Sequence, residues 1–194
     1  LYGEGRARFE ISGEKVTLAQ ETRYPWDGAI HFEVGLARPT RFTVSLRVPA
    51  WCIGATLSIN GLPVDLDQVV VDGYARLERE WSDKDEITLD LPLAARLLRA
   101  NPLIRQDAGR VALARGPLIY CTEETDNGSG LNRLTITGHP ADATESTISV
   151  LNDAVMLEIA AEQDEADWGE TLYREAPPET KKVKARFIPY HLWD

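Results

Sequence analysis

The chain has 194 residues, of which 43% are hydrophobic and 27% are charged. This globular composition fits either one large β domain or two small modules. The formal net charge of −10 argues against nucleic-acid binding, because a phosphate backbone favours a basic surface. No apolar run approaches the ~20 residues of a membrane-spanning helix, so we predict neither a nucleic-acid nor a membrane partner.

Apolar and polar residues alternate with a period of two along much of the chain, which is typical of half-buried β-strands. The alternating positions are Val16/Leu18, Ile30/Phe32/Val34, Phe42/Val44/Leu46/Val48, Leu57/Ile59, Ile87/Leu89/Leu91, Val111/Leu113, Leu118/Tyr120, Leu134/Ile136, Ile148/Val150, Val155/Leu157/Ile159 and Val183/Ala185/Phe187. Turn-forming pairs stand at Asp27-Gly28, Asn60-Gly61 and Asp72-Gly73. This spacing predicts an all-β fold of the β-sandwich or jelly-roll type.

The segment from Leu93 to Ala100 does not follow this pattern clearly. Its leucine, alanine and arginine residues favour a helix, and Pro92 would suit the first turn of that helix. A strand is the alternative, and the residues alone leave both open.

Acidic residues are concentrated in one part of the chain. The stretch from Thr125 to Thr180 contains twelve acidic and two basic residues, which accounts for the whole net charge of −10. Such a shift indicates a second module, and we interpret the acidic residues as a solvated surface that aids solubility. A site for a cation or a basic partner is the alternative, but the stretch has no calcium-loop pattern.

The end of the chain contributes to the predicted domain boundaries. Pro177-Pro178 predicts an extended linker, and the basic residues Lys181, Lys182 and Lys184 then end the acidic stretch. We therefore expect the last strand to leave the second module and to return to the first. The prediction is a first β-sandwich formed by residues 1–104 plus 183–194, and a second, acidic β-sandwich or jelly roll formed by residues 105–182.

Few residues in the sequence suggest catalysis. His31, His139 and His191 lack the spacing of a zinc-protease helix, and Cys52 and Cys121 are predicted to be buried, inert thiols. Carboxylates are too numerous for their positions to indicate a glycosidase pair. The sequence contains no glycine-rich phosphate loop and no nucleophile-elbow serine. Asn127-Gly128-Ser129 formally fits a glycosylation acceptor, on which we place little weight.

The aromatic residues allow two interpretations. Tyr24, Trp26, Trp51, Trp81, Trp168 and Trp193 either fill and seal the sandwich or present a ring on which a sugar can stack. For Trp26 and Trp51, neighbouring proline and turn residues favour packing. The sequence does not decide which of the five tryptophans contacts sugar.

Several motifs occur in an order that resembles a known family. They are Gln-Glu-Thr-Arg-Tyr-Pro-Trp-Asp-Gly at 20–28, Leu-Arg-Val-Pro-Ala-Trp at 46–51, Asn60-Gly61, Gly73-Tyr74, Arg79-Glu80-Trp81 with Asp85, Val111-Ala112-Leu113, Arg115-Gly116-Pro117-Leu118-Ile119-Tyr120-Cys121 with Glu123, Leu172-Tyr173, and Ile188-Pro189-Tyr190 with Trp193. The ordered set resembles the C-terminal part of the β-L-arabinofuranosidases of glycoside hydrolase family 127, once known only as a domain of unknown function. The resemblance covers nearly the whole chain.

The resemblance implies an architecture and a location for the chemistry. Members of the family begin with a catalytic (α/α)6 barrel, followed by two β-sandwich modules between which the chain crosses and returns. It also implies that Leu93 to Ala100 is extended. The family's nucleophile looks like a zinc-held cysteine that works with a glutamate, and its adjacent-cysteine motif has no counterpart here. No catalytic, cofactor-binding or metal-binding residue therefore carries over to this chain, and zinc is expected only in the barrel.

The resulting functional prediction is a bacterial, non-catalytic accessory region of a β-L-arabinofuranosidase-like hydrolase, inactive by itself. Its partners would be its own N-terminal barrel and, through the barrel, plant-derived arabinose-containing glycans. Without the barrel an exposed apolar patch would favour association, for example as a homodimer. A cytoplasmic location is predicted in preference to secretion. The alternatives are an independent carbohydrate-binding β-sandwich and, less favoured, a cell-surface adhesion sandwich.

Overall fold

A computed structural model describes residues 2–149, 153–175 and 179–193. The chain divides into two compact units, Leu1–Leu93 and Ala94–Asp194. Strands make up 52% and helices 11% of the structure, which confirms the all-β prediction. None of the helices in the described ranges has the length and apolar character needed to cross a bilayer.

The first unit is a sandwich of two antiparallel sheets. Its elements are β1 (Gly5–Ile11), β2 (Glu14–Thr22), β3 (Ala29–Leu36), β4 (Thr40–Arg47), β5 (Thr56–Ile59), β6 (Leu62–Val64), α1 (Leu66–Val69), β7 (Val70–Val71), β8 (Tyr74–Trp81) and β9 (Glu86–Asp90). One sheet has the order β1-β2-β3-β9-β5-β6 and the other has the order β4-β8-β7. Buried residues from both sheets form one core, because the alternating apolar positions all face inward.

Tight turns fix the register of this sandwich. Asn60 and Gly61 both have positive φ angles, of 51° and 76°, between the paired strands β5 and β6. Asp72 and Gly73 repeat this geometry between β7 and β8, with φ angles of 54° and 74°. Two consecutive residues with positive φ match the twist of a two-residue hairpin, so these turn predictions are confirmed.

The second unit contains one curled sheet. Its elements are β10 (Ala95–Arg99), β11 (Val111–Arg115), β12 (Leu118–Cys121), α2 (Glu124–Asn127), β13 (Leu134–Ile136), β14 (Thr144–Ile148), β15 (Ala154–Asp164) and β16 (Thr180–Pro189). The strand order is β10-β11-β12-β16-β15-β13, and β14 also pairs with β15. The first edge strand, β10, contacts the turn Pro140–Asp142 that follows the strand at the other edge, so the two edges approach each other.

An ion pair also spans this curled sheet. Arg115 on β11 donates to both carboxylate oxygens of Glu145 on β14, at 2.7 and 2.8 Å. Arg115 is only 7% exposed, whereas the side chain of Glu145 is 45% exposed, so the carboxylate end of the pair remains in contact with water. A two-pronged guanidinium–carboxylate contact is geometrically specific, and here it fixes one strand relative to the other.

The segment after Pro92 is extended, as the family resemblance implies and against its helical propensity. Residues Ala95–Arg99 pair with Val111–Arg115 along their whole length. Leu97 packs on the core of the second unit, and Arg96 donates to the carbonyl oxygen of Gly116 at 2.8 Å. Pairing with β11 and burial of one face outweigh the local preference for a helix.

The expected return of the last strand to the first module is corrected by the strand pairing. β16 pairs with β15 and with β12, so it lies in the sheet of the second unit, and the division falls after Leu93 rather than after residue 104. The basic residues of β16 are explained by ion pairs with nearby acidic residues. Arg186 and Lys184 reach Glu158 at 2.8 and 3.5 Å, and Lys181 reaches Glu165 at 3.5 Å. The basic run therefore neutralises the neighbouring acidic strand.

The predicted linker Pro177-Pro178 and Val150 of a predicted strand lie outside the described residues.

Candidate functional site

The Tyr-Pro-Trp-Asp-Gly motif forms a structural corner between β2 and β3. The hydroxyl of Thr22 donates to the carbonyl oxygen of Ala29 at 2.7 Å, and a carboxylate oxygen of Asp27 accepts from the amide of Ala29 at 2.8 Å. A Cβ atom on Gly28 would lie 2.1 Å from the carbonyl oxygen of Leu91. The motif is thus explained by close packing of backbone segments.

Tyr24 is also used for packing. Its ring meets Tyr2 edge-on with centroids 5.9 Å apart, and Tyr2 in turn lies 6.1 Å from Phe32. The hydroxyl of Tyr2 donates to the carbonyl oxygen of Arg47 at 2.6 Å. Burial raises the pKa of both tyrosine hydroxyls, as expected for rings held inside a packed cluster.

Four of the five tryptophans are partly or fully withdrawn from solvent. Trp81 is 0% exposed, and its indole nitrogen donates to the carbonyl oxygen of Phe42. Trp26 and Trp51 are half-buried in loops of the first unit. Trp168 is half-buried, its indole nitrogen donates to Asp164, and a guanidinium covers its ring. The packing interpretation therefore describes Trp81 best.

Trp193 differs from the other tryptophans because it is exposed. It is 60% exposed and stacks on Tyr190, which is 56% exposed, with ring centroids 6.0 Å apart and planes 18° apart. A 3-10 turn at Tyr190–Leu192 places the two rings on one side, since residues three apart eclipse in such a turn. Trp193 was among the predicted sugar-stacking candidates, whereas Tyr190 entered only as part of a family motif, although the spacing of the two residues after Pro189 could have indicated the pair.

A cleft adjoins the stacked rings. Besides Tyr190 and Trp193 it is lined by Cys121, Thr122, Glu123, Glu124, Thr125 and Leu131, with a volume of about 480 Å³. We call this surface the aromatic cleft. Asn127 holds one wall, because its side chain donates to the carbonyl oxygens of Glu123 and Arg186 and accepts from the amide of Arg186. These hydrogen bonds give Asn127 a structural role, which explains the asparagine of the Asn-Gly-Ser sequence without glycosylation.

The thiols lack the features of an activated nucleophile. Burial raises the pKa of Cys121, and nearby Glu123 raises it further. Burial and the charge of Asp90 likewise raise the pKa of Cys52, whose sulfur lies 3.8 Å from the carbonyl oxygen of Pro92. A reactive cysteine needs the opposite environment, because the thiolate is the nucleophile.

The histidines also have local roles. His31 lies 3.3 Å from the hydroxyl of Thr88 on the outer face of the six-stranded sheet, and Nδ1 of His139 accepts from the amide of Ala141. His191 lies in the 3-10 turn beside Tyr190. Among the described residues, no group of three or more histidine, cysteine, aspartate or glutamate side chains could hold a metal ion. The described part of the chain therefore does not fit a zinc site.

A second, polar surface covers the outer face of the six-stranded sheet. Glu21, His31 and Thr88 stand in one row across three strands, and Glu33 stands directly opposite Glu86 in the next row. The side chains line a shallow depression of about 370 Å³. Like charges directly opposite each other destabilise a sheet, but an acidic face alone does not identify a ligand.

Both units match models of one protein family. The model described as "Beta-L-arabinofuranosidase, GH127 middle domain" matches residues 1–93. The model described as "Glycoside hydrolase family 127 C-terminal domain" matches residues 95–194. These limits agree with the division of the chain into two units.

Individual relatives agree with the family models. The chain is 34% identical, over 92% of its length, to the non-reducing end β-L-arabinofuranosidase of Bifidobacterium longum subsp. longum. It is 40% identical to a crystal structure of a GH127 β-L-arabinofuranosidase from Geobacillus stearothermophilus T6, with a TM-score of 0.91 over the whole chain. A further structure, of a GH127 β-arabinofuranosidase, is 28% identical with a TM-score of 0.84. The chain spans only 28% of the first relative, and 31% and 32% of the two structures.

Proposed function

The chain belongs to glycoside hydrolase family 127, and on that premise we propose that it supports the catalytic part of an enzyme that releases β-linked L-arabinofuranose from plant-derived glycans. It matches the middle and C-terminal domains of the family, which form the accessory region. The observation that carries the proposal is this match of both units to domains that make up less than a third of the matched relatives.

The surface of the chain supports a role in contact with other parts of a protein. Ile53 in the first unit and Leu103, Leu172 and Tyr173 in the second are each more than four-fifths exposed. Contiguous exposed apolar side chains, such as the neighbours Leu172 and Tyr173, often mark an interaction site, whereas single exposed side chains are common on any surface. In the full-length protein, contact with the catalytic part would withdraw such side chains from water, and in the isolated chain they would favour association into dimers.

We assign hydrolysis to the part of the polypeptide outside these residues. The raised pKa values of Cys52 and Cys121 disfavour the thiolate that a nucleophile requires. Hydrolysis of 4-nitrophenyl β-L-arabinofuranoside tests this directly. We expect hydrolysis by the full-length protein and no release of nitrophenolate by the 194-residue chain.

A matched control removes both thiols. The double variant Cys52→Ser/Cys121→Ser of the full-length protein should keep its hydrolytic rate within about twofold, because neither thiol has a chemical role in the proposal. The proposal would be contradicted if the isolated chain hydrolyses the substrate and if its double variant does not. Sedimentation of the isolated chain over a range of concentrations tests the expected association.

Independent carbohydrate binding is the second candidate, and the stacked Tyr190 and Trp193 favour it. Two stacked, exposed rings present an outer aromatic face on which the apolar face of a sugar can lie. Calorimetric titration of the chain with arabino-oligosaccharides would show saturable heat in the millimolar range or tighter. Trp193→Ala should abolish that heat, and Trp168→Ala, on a ring already covered by Arg174, should retain it. If no heat of binding is detected, the supporting role is the function that we retain.

A further inference from the structure

An open groove lined by apolar and polar side chains lies in the second unit. It has a volume of about 650 Å³ and is bounded by β10 and β11 on one side and by β13 with the preceding turn on the other. Its apolar side chains are Leu97, Val111, Leu131, Leu134, Ile136 and Phe187. Five of these six are only half-buried, so the core of this unit is open to solvent here.

The groove lies between the two edges of the curled sheet. β10 is the first strand of the sheet and β13 is the last on the main path, so each has an edge without a partner strand among the described residues. Unpaired strand edges present backbone donors and acceptors in a row, and an added strand can satisfy them. This geometry fits an extended peptide better than a helix.

The charges at the groove are of one sign. Arg99 and Arg110 are exposed at its rim, and none of the described residues that line it carries a carboxylate. Neither guanidinium has an ion-pair partner in the described part of the chain. These two cations stand in a unit where acidic residues predominate. A ligand complementary to this surface would present apolar groups to the apolar side chains and carboxylates to the rim.

We propose that this groove, which we call the arginine groove, binds an extended acidic segment from the part of the same polypeptide outside these 194 residues. The inference rests on the proposed function, since it requires a longer protein. The matched relatives extend far beyond the chain, which spans 28% of one of them. A tethered segment reaches an effective concentration in the millimolar range, so a site smaller than a typical interface is sufficient.

Amide hydrogen exchange in the full-length protein and in the 194-residue chain tests the proposal. An added strand would protect the amides at the edges of β10 and β13. We expect these amides to exchange at least tenfold more slowly in the full-length protein. Arg99→Glu/Arg110→Glu in the full-length protein should restore the fast exchange, because the acidic segment would then be repelled.

The controls separate this effect from general changes. Arg8→Glu/Arg76→Glu reverses two exposed charges in the first unit and should leave the protection unchanged. Arg99→Gln/Arg110→Gln, which adds no negative charge, should give an intermediate rate. Thermal unfolding of the 194-residue chain with each substitution shows whether the second unit still folds.

Three results would overturn the proposal. One is equal exchange in the two proteins, and another is protection that survives the charge reversal at the groove. A third is protection in the isolated chain that rises with its concentration, which would identify a second copy as the occupant. Hydrolysis is measured on the same full-length variants. If truncation of the region still impairs hydrolysis while the groove is unprotected, only the groove proposal fails.

Discussion

Replacement of Gly28 by alanine should destabilise the first unit strongly. The added Cβ would lie 2.1 Å from the carbonyl oxygen of Leu91 and 2.8 Å from its carbonyl carbon. Both are backbone atoms, so the segments would have to separate by about 1 Å, and the 3.0 Å hydrogen bond from the amide of Leu91 to Gly28 would weaken. Overpacking costs about 1–3 kcal/mol and a lost backbone hydrogen bond about 1 kcal/mol, which together predict a loss of about 2–4 kcal/mol.

Gly35→Ala is the matched control, because Gly35 lies in the same strand, β3, at the end away from the corner. Its added Cβ would meet the Cβ and the carbonyl oxygen of Thr17, at ordinary contact distances of 3.5 and 3.9 Å. We expect a change within about 0.5 kcal/mol, since alanine also reduces the entropy of the unfolded chain. Urea titration followed by tryptophan fluorescence and circular dichroism measures both variants. Equal midpoints for the two substitutions would refute the steric explanation of the motif.

Three further predictions concern buried and charged groups. The hydroxyl of Tyr120 is buried without a hydrogen-bond partner among the described residues, so Tyr120→Phe should leave the second unit equally stable or more stable by about 1 kcal/mol, and a clear loss in urea titration would contradict this. A hydrogen bond from Arg186 holds the pKa of Glu158 below its usual value of 4.5, so its stabilisation is present above that pH and is lost as the pH falls. The unfolding midpoint of the wild type should therefore fall more steeply in acid than that of Glu158→Gln, and parallel curves would exclude the effect. The raised pKa values of Cys52 and Cys121 predict slower reaction with Ellman's reagent at pH 7 than for glutathione, with rates that are still rising above the ordinary thiol pKa of 9.0. Reaction as fast as glutathione would count against this.

The strands could be predicted from the sequence because their period-two pattern is a direct consequence of burial on one face. Ile30, Phe32 and Val34 alternate in the sequence and all lie in the core of the first unit. The turns at Asn60-Gly61 and Asp72-Gly73 were equally accessible, since few other residue pairs adopt two consecutive positive φ angles. In contrast, the local sequence pattern does not predict which strands pair, because pairing depends on contacts between distant segments.

The course of β16 illustrates this limit. A change from acidic to basic residues predicts a change of module, but charge complementarity across a strand pair produces the same pattern. Lys184 and Arg186 contact Glu158 on the neighbouring strand. Oppositely charged residues often face each other on adjacent strands of one sheet. A change in the sign of the net charge between two domains gives the same sequence pattern. Composition alone cannot distinguish the two cases.

The candidate surfaces were less accessible to prediction than the fold. The sequence does not single out Trp193 as a sugar contact, and only its exposure and its stacking on Tyr190 distinguish it. The arginine groove had no sequence signal, because Arg99 and Arg110 belong to different strands and loops. It exists because the sheet curls until its two edges lie near each other.

The family motifs separate into two groups once the structure is considered. Gly28, Trp81 and Arg115 are explained within their own unit, by a close backbone approach, a buried hydrogen bond and an ion pair respectively. Leu172 and Tyr173 belong to a motif of the same ordered set, yet they are 83% and 88% exposed. An exposed apolar side chain adds little to the stability of the unit that carries it, because its burial is the main source of its stabilisation. The first group therefore accounts for how this region folds, and the second marks where its contact with the rest of the protein is best tested.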